Sequence, residues 1–140
     1  LQQLLTTYCQ GGGNLMLSGS YIGSNMNSPT ALNFTENILK YSFGGSMLNS
    51  TSGEIYGANT RFSIPRTINE QTYAVPAPDC LTLIAPAYSA FVYNPGSYSA
   101  GIAYKGKYRT FVLGFPFESI QGVKERARVM SAILGFFGSK

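Results

Sequence analysis

The chain of 140 residues predicts an α/β domain, a layered sheet that lacks its opening strand. Three observations carry this reading. A short helical pattern runs through Gly11-Gly12-Gly13 straight into an apolar segment. Two apolar runs near the end flank a tight polar turn. A long amphipathic helix closes the chain.

Leu1, Leu4, Leu5 and Tyr8 recur at helical spacing, which predicts a helix over residues 1–10 with one apolar face. The glycine triplet stops it, because glycine takes the left-handed geometry of a helix end without steric cost. Asn14-Leu15-Met16-Leu17-Ser18 is then nearly unbroken in apolar character, as expected of a parallel strand fed by a helix. Gly19 to Asn25 reads as the loop leaving that strand's carboxyl end, the edge where open α/β sheets hold ligands. Ser28-Pro29 predicts a helix start, with serine as cap and proline in the first turn. The helix continues through Thr35–Tyr41 and ends around Gly44-Gly45.

Residues 46–78 change texture, with short β segments at Glu54–Gly57 and Arg61–Ile64 between glycines and prolines, and are expected to form a β-rich insertion or extended loop. Cys80–Ala85 and Ala90–Tyr93 predict strands. Ser99–Tyr104 and Tyr108–Gly114 predict a hairpin around Lys105-Gly106-Lys107, its second arm apolar on both faces and therefore central. In the last helix, Val123, Ala127, Met130, Leu134 and Phe137 form the expected buried stripe, widened by Val129, Ile133 and Phe136. Lys124, Arg128 and Ser131 lie opposite.

Composition narrows the chemistry. The chain has no histidine, so neither a Ser-His or Cys-His nucleophile pair nor a histidine-bearing zinc site can be completed from these residues. Charged residues make up 11%, and polarity comes instead from Ser, Thr, Asn, Gln and ten Tyr, a balance that leans toward proteins working outside the cytoplasm. The net charge of +4 is spread along the chain, unlike the dense basic stripe of a nucleic-acid binder, so no nucleic-acid partner is expected. No segment has the apolar length of a membrane span. Cys9 and Cys80 lack metal-ligand spacing and are expected to be buried free thiols, with a disulfide as the alternative. The abrupt start at Leu1 reads as the middle of a helix, which predicts a fragment of a longer protein forming one domain over residues 1–140.

Two segments carry a resemblance. Tyr108-Arg109-Thr110-Phe111-Val112-Leu113-Gly114-Phe115-Pro116-Phe117-Glu118-Ser119-Ile120, with Arg126, Met130 and Ile133-Leu134, resembles the end of glutamine-amidotransferase-like domains. Gly11 to Tyr21 resembles their helix, Gly-Gly, strand, Ser-Gly unit. The version it is similar to occurs in large secreted proteins of Bacteroidetes-type bacteria labelled putative xanthan lyases. The resemblance implies a flavodoxin-like three-layer sheet without its N-terminal βαβ part, a secreted or cell-surface location, and partners among neighbouring domains of the same polypeptide or a polysaccharide. The family's catalytic cysteine does not carry over: the elbow-like piece Ser18-Gly19-Ser20-Tyr21-Ile22-Gly23 has Ser20 at its centre, and the partner histidine is missing.

No residue is therefore assigned as catalytic, and no cofactor or metal is expected. Gly19, Ser20, Tyr21 and Glu118 are the candidate ligand-edge residues, with Ser20 lacking an evident base and the loop glycines structural or phosphate-cradling. Glu118 is read either as a group at the sheet edge or as the ion-pair partner of Arg126. Tyr88, Tyr93, Tyr98, Tyr104 and Tyr108, with Arg109, are read as packing residues, a sugar-stacking face, or a lyase's base and carboxylate neutraliser. The expected role is a non-catalytic accessory domain. The alternatives are a carbohydrate-binding module and part of a xanthan-type lyase.

Overall fold

A computed structural model describes residues 1–47, 54–65, 74–94 and 98–139. It contains helices α1 (Gln2–Gln10), α2 (Pro29–Asn33) and α3 (Val123–Gly138), and strands β1 (Leu15–Ser18), β2 (Tyr41–Ser46), β3 (Glu54–Gly57), β4 (Thr60–Ser63), β5 (Asp79–Leu83), β6 (Tyr88–Asn94), β7 (Ser99–Lys105) and β8 (Arg109–Leu113). The fold is mixed α/β. The strands form one curled sheet in the order β1-β8-β7-β6-β3-β4. Ser99 of β7 pairs with Val92 of β6 on one side and Leu81 of β5 on the other, so β5 follows β8 along the same edge of β7, and β2 pairs outside β5.

The predicted parallel strand is β1, which runs beside β8 in the register Leu15↔Thr110 to Ser18↔Leu113. Among the described residues every other pairing is antiparallel, less parallel pairing than a flavodoxin-type sheet implies. Side chains alternate across β8. Phe111 and Leu113 join a cluster with Phe91, Phe115, Val129 and Ile133 under α3. Val112 points to the opposite face, into a cluster with Cys9, Phe34, Ile38, Leu39 and Tyr41. Helices thus cover both faces, which explains why β8 is apolar on each side.

In two helices only part of the expected apolar face is buried. In α3, Val129 and Ile133 are fully buried, while Val123 is 73% and Leu134 60% exposed. The buried line lies about a quarter turn round the helix from the expected stripe. Hydrophobic spacing gives an arc; which part of it faces inward is set here by Phe111, whose ring meets Phe136 edge-on at 5.8 Å. Each fully buried aliphatic side chain on that line contributes on the order of 1.5–3 kcal/mol. In α1, Cys9 is buried and Leu5 half-buried, but Leu1, Leu4 and Tyr8 are exposed.

The second helix starts as expected: Ser28 Oγ accepts the Ala31 N–H at 3.2 Å, with Pro29 in the first turn. It continues as a π-helical turn, Phe34–Leu39, and stops at Lys40 in the left-handed conformation (φ 65°), before the predicted Gly44-Gly45. Residues 41–46 instead form β2, because Tyr41, Ser42 and Phe43 ladder against Leu83, Thr82 and Leu81. Where it is described, the segment 46–78 carries β3 and β4 at the two expected β segments. β3 and β4 form a hairpin that joins the main sheet through Ile55↔Tyr93. Residues 48–53 and 66–73 of that segment lie outside the described residues. Cys9 and Cys80 are both buried free thiols.

Candidate functional site

The carboxyl ends of the parallel pair β1 and β8 bring the sequence-predicted residues to one edge. Ser18 Oγ, at the end of β1, accepts the Phe117 N–H at 3.3 Å, tying the loop after β1 to the single 3-10 turn Phe117–Ser119 after β8. Gly19, Ser20 and Tyr21 leave the first strand, and Glu118 sits exposed on the second turn.

The loop after β1 is a sharp turn whose apex is Tyr21, not Ser20. Tyr21 holds φ 60°, a left-handed conformation that costs a residue with a Cβ about 1–2 kcal/mol. Its neighbours two residues either side are Gly19 and Gly23. A Cβ on Gly23 would lie 2.9 Å from Phe43 Cδ2, so a larger residue there would push that ring aside. The pattern Gly-x-Tyr-x-Gly at the end of a strand shares its glycine spacing with a nucleophile elbow, but a phenol stands at its centre and the turn 20–25 with Met26-Asn27 separates it from the helix that starts at Pro29.

Two buried residues far along the chain hold this turn. Asp79, fully buried at the start of β5, accepts the N–H of Gly23 at 2.8 Å and of Ser24 at 3.3 Å, with the Ser24 and Ser46 hydroxyls at 3.5 Å. Tyr41 donates its hydroxyl to the Ile22 carbonyl at 2.8 Å. Burial, and then the nearby Asp79 carboxylate, push the Tyr41 phenol well above its ordinary range, so it stays a donor. The same two causes push the Cys80 thiol up to about 11. Within the turn, Asn25 N–H returns to the Tyr21 carbonyl at 3.1 Å. Sequence reasoning missed both anchors; the available signal was an aspartate opening an otherwise apolar strand.

The remaining candidates are used elsewhere. Arg126 donates to the Ile120 carbonyl at 2.6 Å, and among the described residues no ion pair joins it to Glu118. The buried end of the backbone turn before α3 competes successfully for the guanidinium. Arg109 caps α3 by donating to the Phe136 carbonyl at 2.9 Å and to those of Phe137 and Ser139. Tyr93 is buried and donates to the Asp79 carbonyl at 2.9 Å. Tyr108 is buried and donates to the Ile38 carbonyl at 3.1 Å, its ring tilted against Tyr104. Tyr88 packs edge-on against Phe136 and Tyr98 is exposed. These tyrosines do not form a shared stacking face.

Two further polar features lie away from this edge. On β3, β4 and β6, Glu54 accepts from Tyr56, Asn94 and Arg61, and Arg61 lies over the Tyr56 ring at 5.2 Å. The arginine and its companion donors hold the Glu54 carboxyl below its usual value, and hydrogen bonding to that carboxylate raises the Tyr56 phenol. A cleft of about 390 Å³ between α1 and α2 is lined by Gln2, Gln3, Thr6, Thr30, Asn33 and Phe34 among others, none of them expected site residues. Among the described residues no group of three His, Cys, Asp or Glu side chains is placed to hold a metal ion, and no helix is long and apolar enough to cross a membrane. In comparisons with known proteins, the chain matches no family model and no curated protein.

Proposed function

We propose that this chain is a non-catalytic accessory domain of amidotransferase-like, flavodoxin-type ancestry. In this reading it belongs to a larger secreted bacterial protein associated with polysaccharide processing, and its work is to pack against neighbouring parts of that polypeptide. The elbow-like turn at the end of a parallel strand, helices on both sheet faces and the lack of histidine support it together.

The observation that carries the reading is the β1 edge. β1 pairs only with β8, leaving its other side without a strand among the described residues. In α1, which precedes it in the chain, Cys9 and Leu5 turn inward, while Leu1, Leu4 and Tyr8 remain exposed about 100° round the helix. The Tyr8 hydroxyl reaches the Asn14 carbonyl just before β1, so Tyr8 lies at the strand's start. An open strand edge beside apolar side chains is a surface that an added strand covers well.

The test is amide hydrogen exchange at Leu15–Ser18, in the 140-residue chain alone and within a longer polypeptide that carries its flanking segments. Packing predicts slower exchange in the longer form, reversed by Leu4→Asp. Equal rates in the two forms would remove the reading.

A further inference from the structure

We propose that the turn 18–24 is a recognition loop for a neutral, pyranose-based oligosaccharide, with Tyr21 as its principal contact residue. This site does not depend on the docking reading, since it lies at the carboxyl end of β1 rather than along its free edge.

The inference begins from where the fold concentrates its constraints. Tyr21 sits in a conformation that residues with a Cβ avoid, yet its side chain is 46% exposed and contributes little to the core. A strained residue persists only where its surroundings over-determine it, and such residues gather at functional sites. Here the surroundings are two fully buried polar groups, Asp79 and Tyr41, which secure Ile22, Gly23 and Ser24 directly behind the apex. Glycine or asparagine at position 21 would satisfy the backbone without strain. The rigid support therefore fixes the backbone that carries an exposed phenol.

The loop's own chemistry, with the exposed Glu118 carboxylate at the same edge, points away from an anionic ligand. Residues 18–28 read Ser-Gly-Ser-Tyr-Ile-Gly-Ser-Asn-Met-Asn-Ser, without a single charged side chain. Tyr, Ser, Gly and Asn are the residues of adaptable recognition loops: the ring supplies rigid contact area, while hydroxyls and amides supply hydrogen bonds in both directions. Ser20 and Asn25 are exposed. A second ring, Phe43, packs against Gly23 and is also 46% exposed. Exposed rings beside uncharged donors and acceptors suit a pyranose, whose faces are apolar and whose rim is hydroxylated. Without a cation in the loop, a phosphate or uronate gains no charge-assisted bond there. The Gly23 and Ser24 N–H groups, which would otherwise cradle an anion, are already occupied by Asp79.

The experiment is a titration of the full 140-residue chain followed by amide chemical shifts, using cellohexaose, xylohexaose and mannohexaose, with hexagalacturonate as the acidic comparator. At least one neutral hexamer should give saturable shifts confined to residues 19–25 and 43. Tyr21→Gly should keep the fold with equal or higher thermal stability and weaken binding about tenfold or more, the worth of one aromatic contact. Tyr21→Phe, which keeps the ring, should bind within about threefold of the parent on the same scale. The proposal is overturned if none of the three neutral hexamers gives saturable shifts, if hexagalacturonate binds in preference, or if Tyr21→Gly binds as tightly as the parent. An intact β1 edge with no glycan binding would sink this site and leave the docking reading standing.

Discussion

The Asp79 carboxylate accepts the Gly23 N–H at 2.8 Å across 56 residues of sequence, joining the start of β5 to the turn that leaves β1. Both groups are buried, and among the described residues no cation accompanies the carboxylate. Its acceptor capacity is met by backbone and hydroxyl donors instead, which is how an isolated buried carboxylate is tolerated. The turn is therefore a tertiary structure in its own right, not a local property of its glycines.

Asp79→Ala should destabilise the chain by about 2–4 kcal/mol, because the Gly23 and Ser24 N–H groups lose their acceptor in a dry site. Asp79→Asn, which keeps one oxygen, should cost less. Urea unfolding of both variants checks this, and values within about 0.5 kcal/mol of the parent would show that the bond is not structural.

Tyr41→Phe isolates the second anchor. It removes only the hydroxyl that meets the Ile22 carbonyl at 2.8 Å, and should cost about 1 kcal/mol. Hydrogen exchange should quicken selectively in the turn 19–25 while the β7–β8 ladder keeps its protection.

Thr110 presents the reverse case. Its Oγ1 is buried on β8 and is the one described buried side-chain oxygen or nitrogen without a partner. Thr110→Val keeps the shape and β-branching while removing an unmet polar atom, so it should stabilise the chain by up to about 1 kcal/mol. A loss of stability on urea unfolding would reveal a polar partner for that hydroxyl.

Alkaline pH should weaken the fold in a defined window. Burial, with the Asp79 carboxylate next, raises the Cys80 thiol from 9.0 to about 11, and burial chiefly raises the Tyr108 phenol from 10.0 to about 12. Both groups are neutral when protonated, so the unfolded chain ionises first. Their stabilisation is complete below about pH 9 and is lost progressively as pH rises toward 11–12. Stability measured by urea at intervals from pH 8 to 11 should fall with pH, and neither thiol should react rapidly with a disulfide reagent at pH 8 until the chain unfolds. A flat profile would contradict the burial of these groups.

The orientation of α3 yields a paired test. Val129→Ala should cost about 1–3 kcal/mol, whereas Val123→Ala should fall within about 0.5 kcal/mol of the parent. Reversal of the two would restore the stripe that spacing alone predicts.

Much of the framework was legible in the residues themselves. Gly11-Gly12-Gly13 does stop α1, Ser28 and Pro29 do start α2, and the polar turn at Lys105-Gly106-Lys107 does join two strands, because caps and turns depend on a few adjacent residues. Local preference also explains the failure at Tyr41–Ser46: a sequence that can extend a helix pairs with β5 instead, and only the ladder decides.

By itself the sequence determined part of the chemical inventory. With no histidine it offers no imidazole to activate a nucleophile, whatever the fold, and its alternation of apolar residues required helices and strands packed in layers. Tertiary structure alone decided which arc of α1 and α3 turned inward, and that Tyr21 rather than Ser20 stands at the strained apex. It also decided that Asp79 and Tyr41 hold the turn just behind that apex, across 56 residues to Gly23 and 19 to Ile22. The physical reason is one of range: composition and periodicity report each residue's own preferences, whereas a buried carboxylate finds its donors only after distant segments have been brought together.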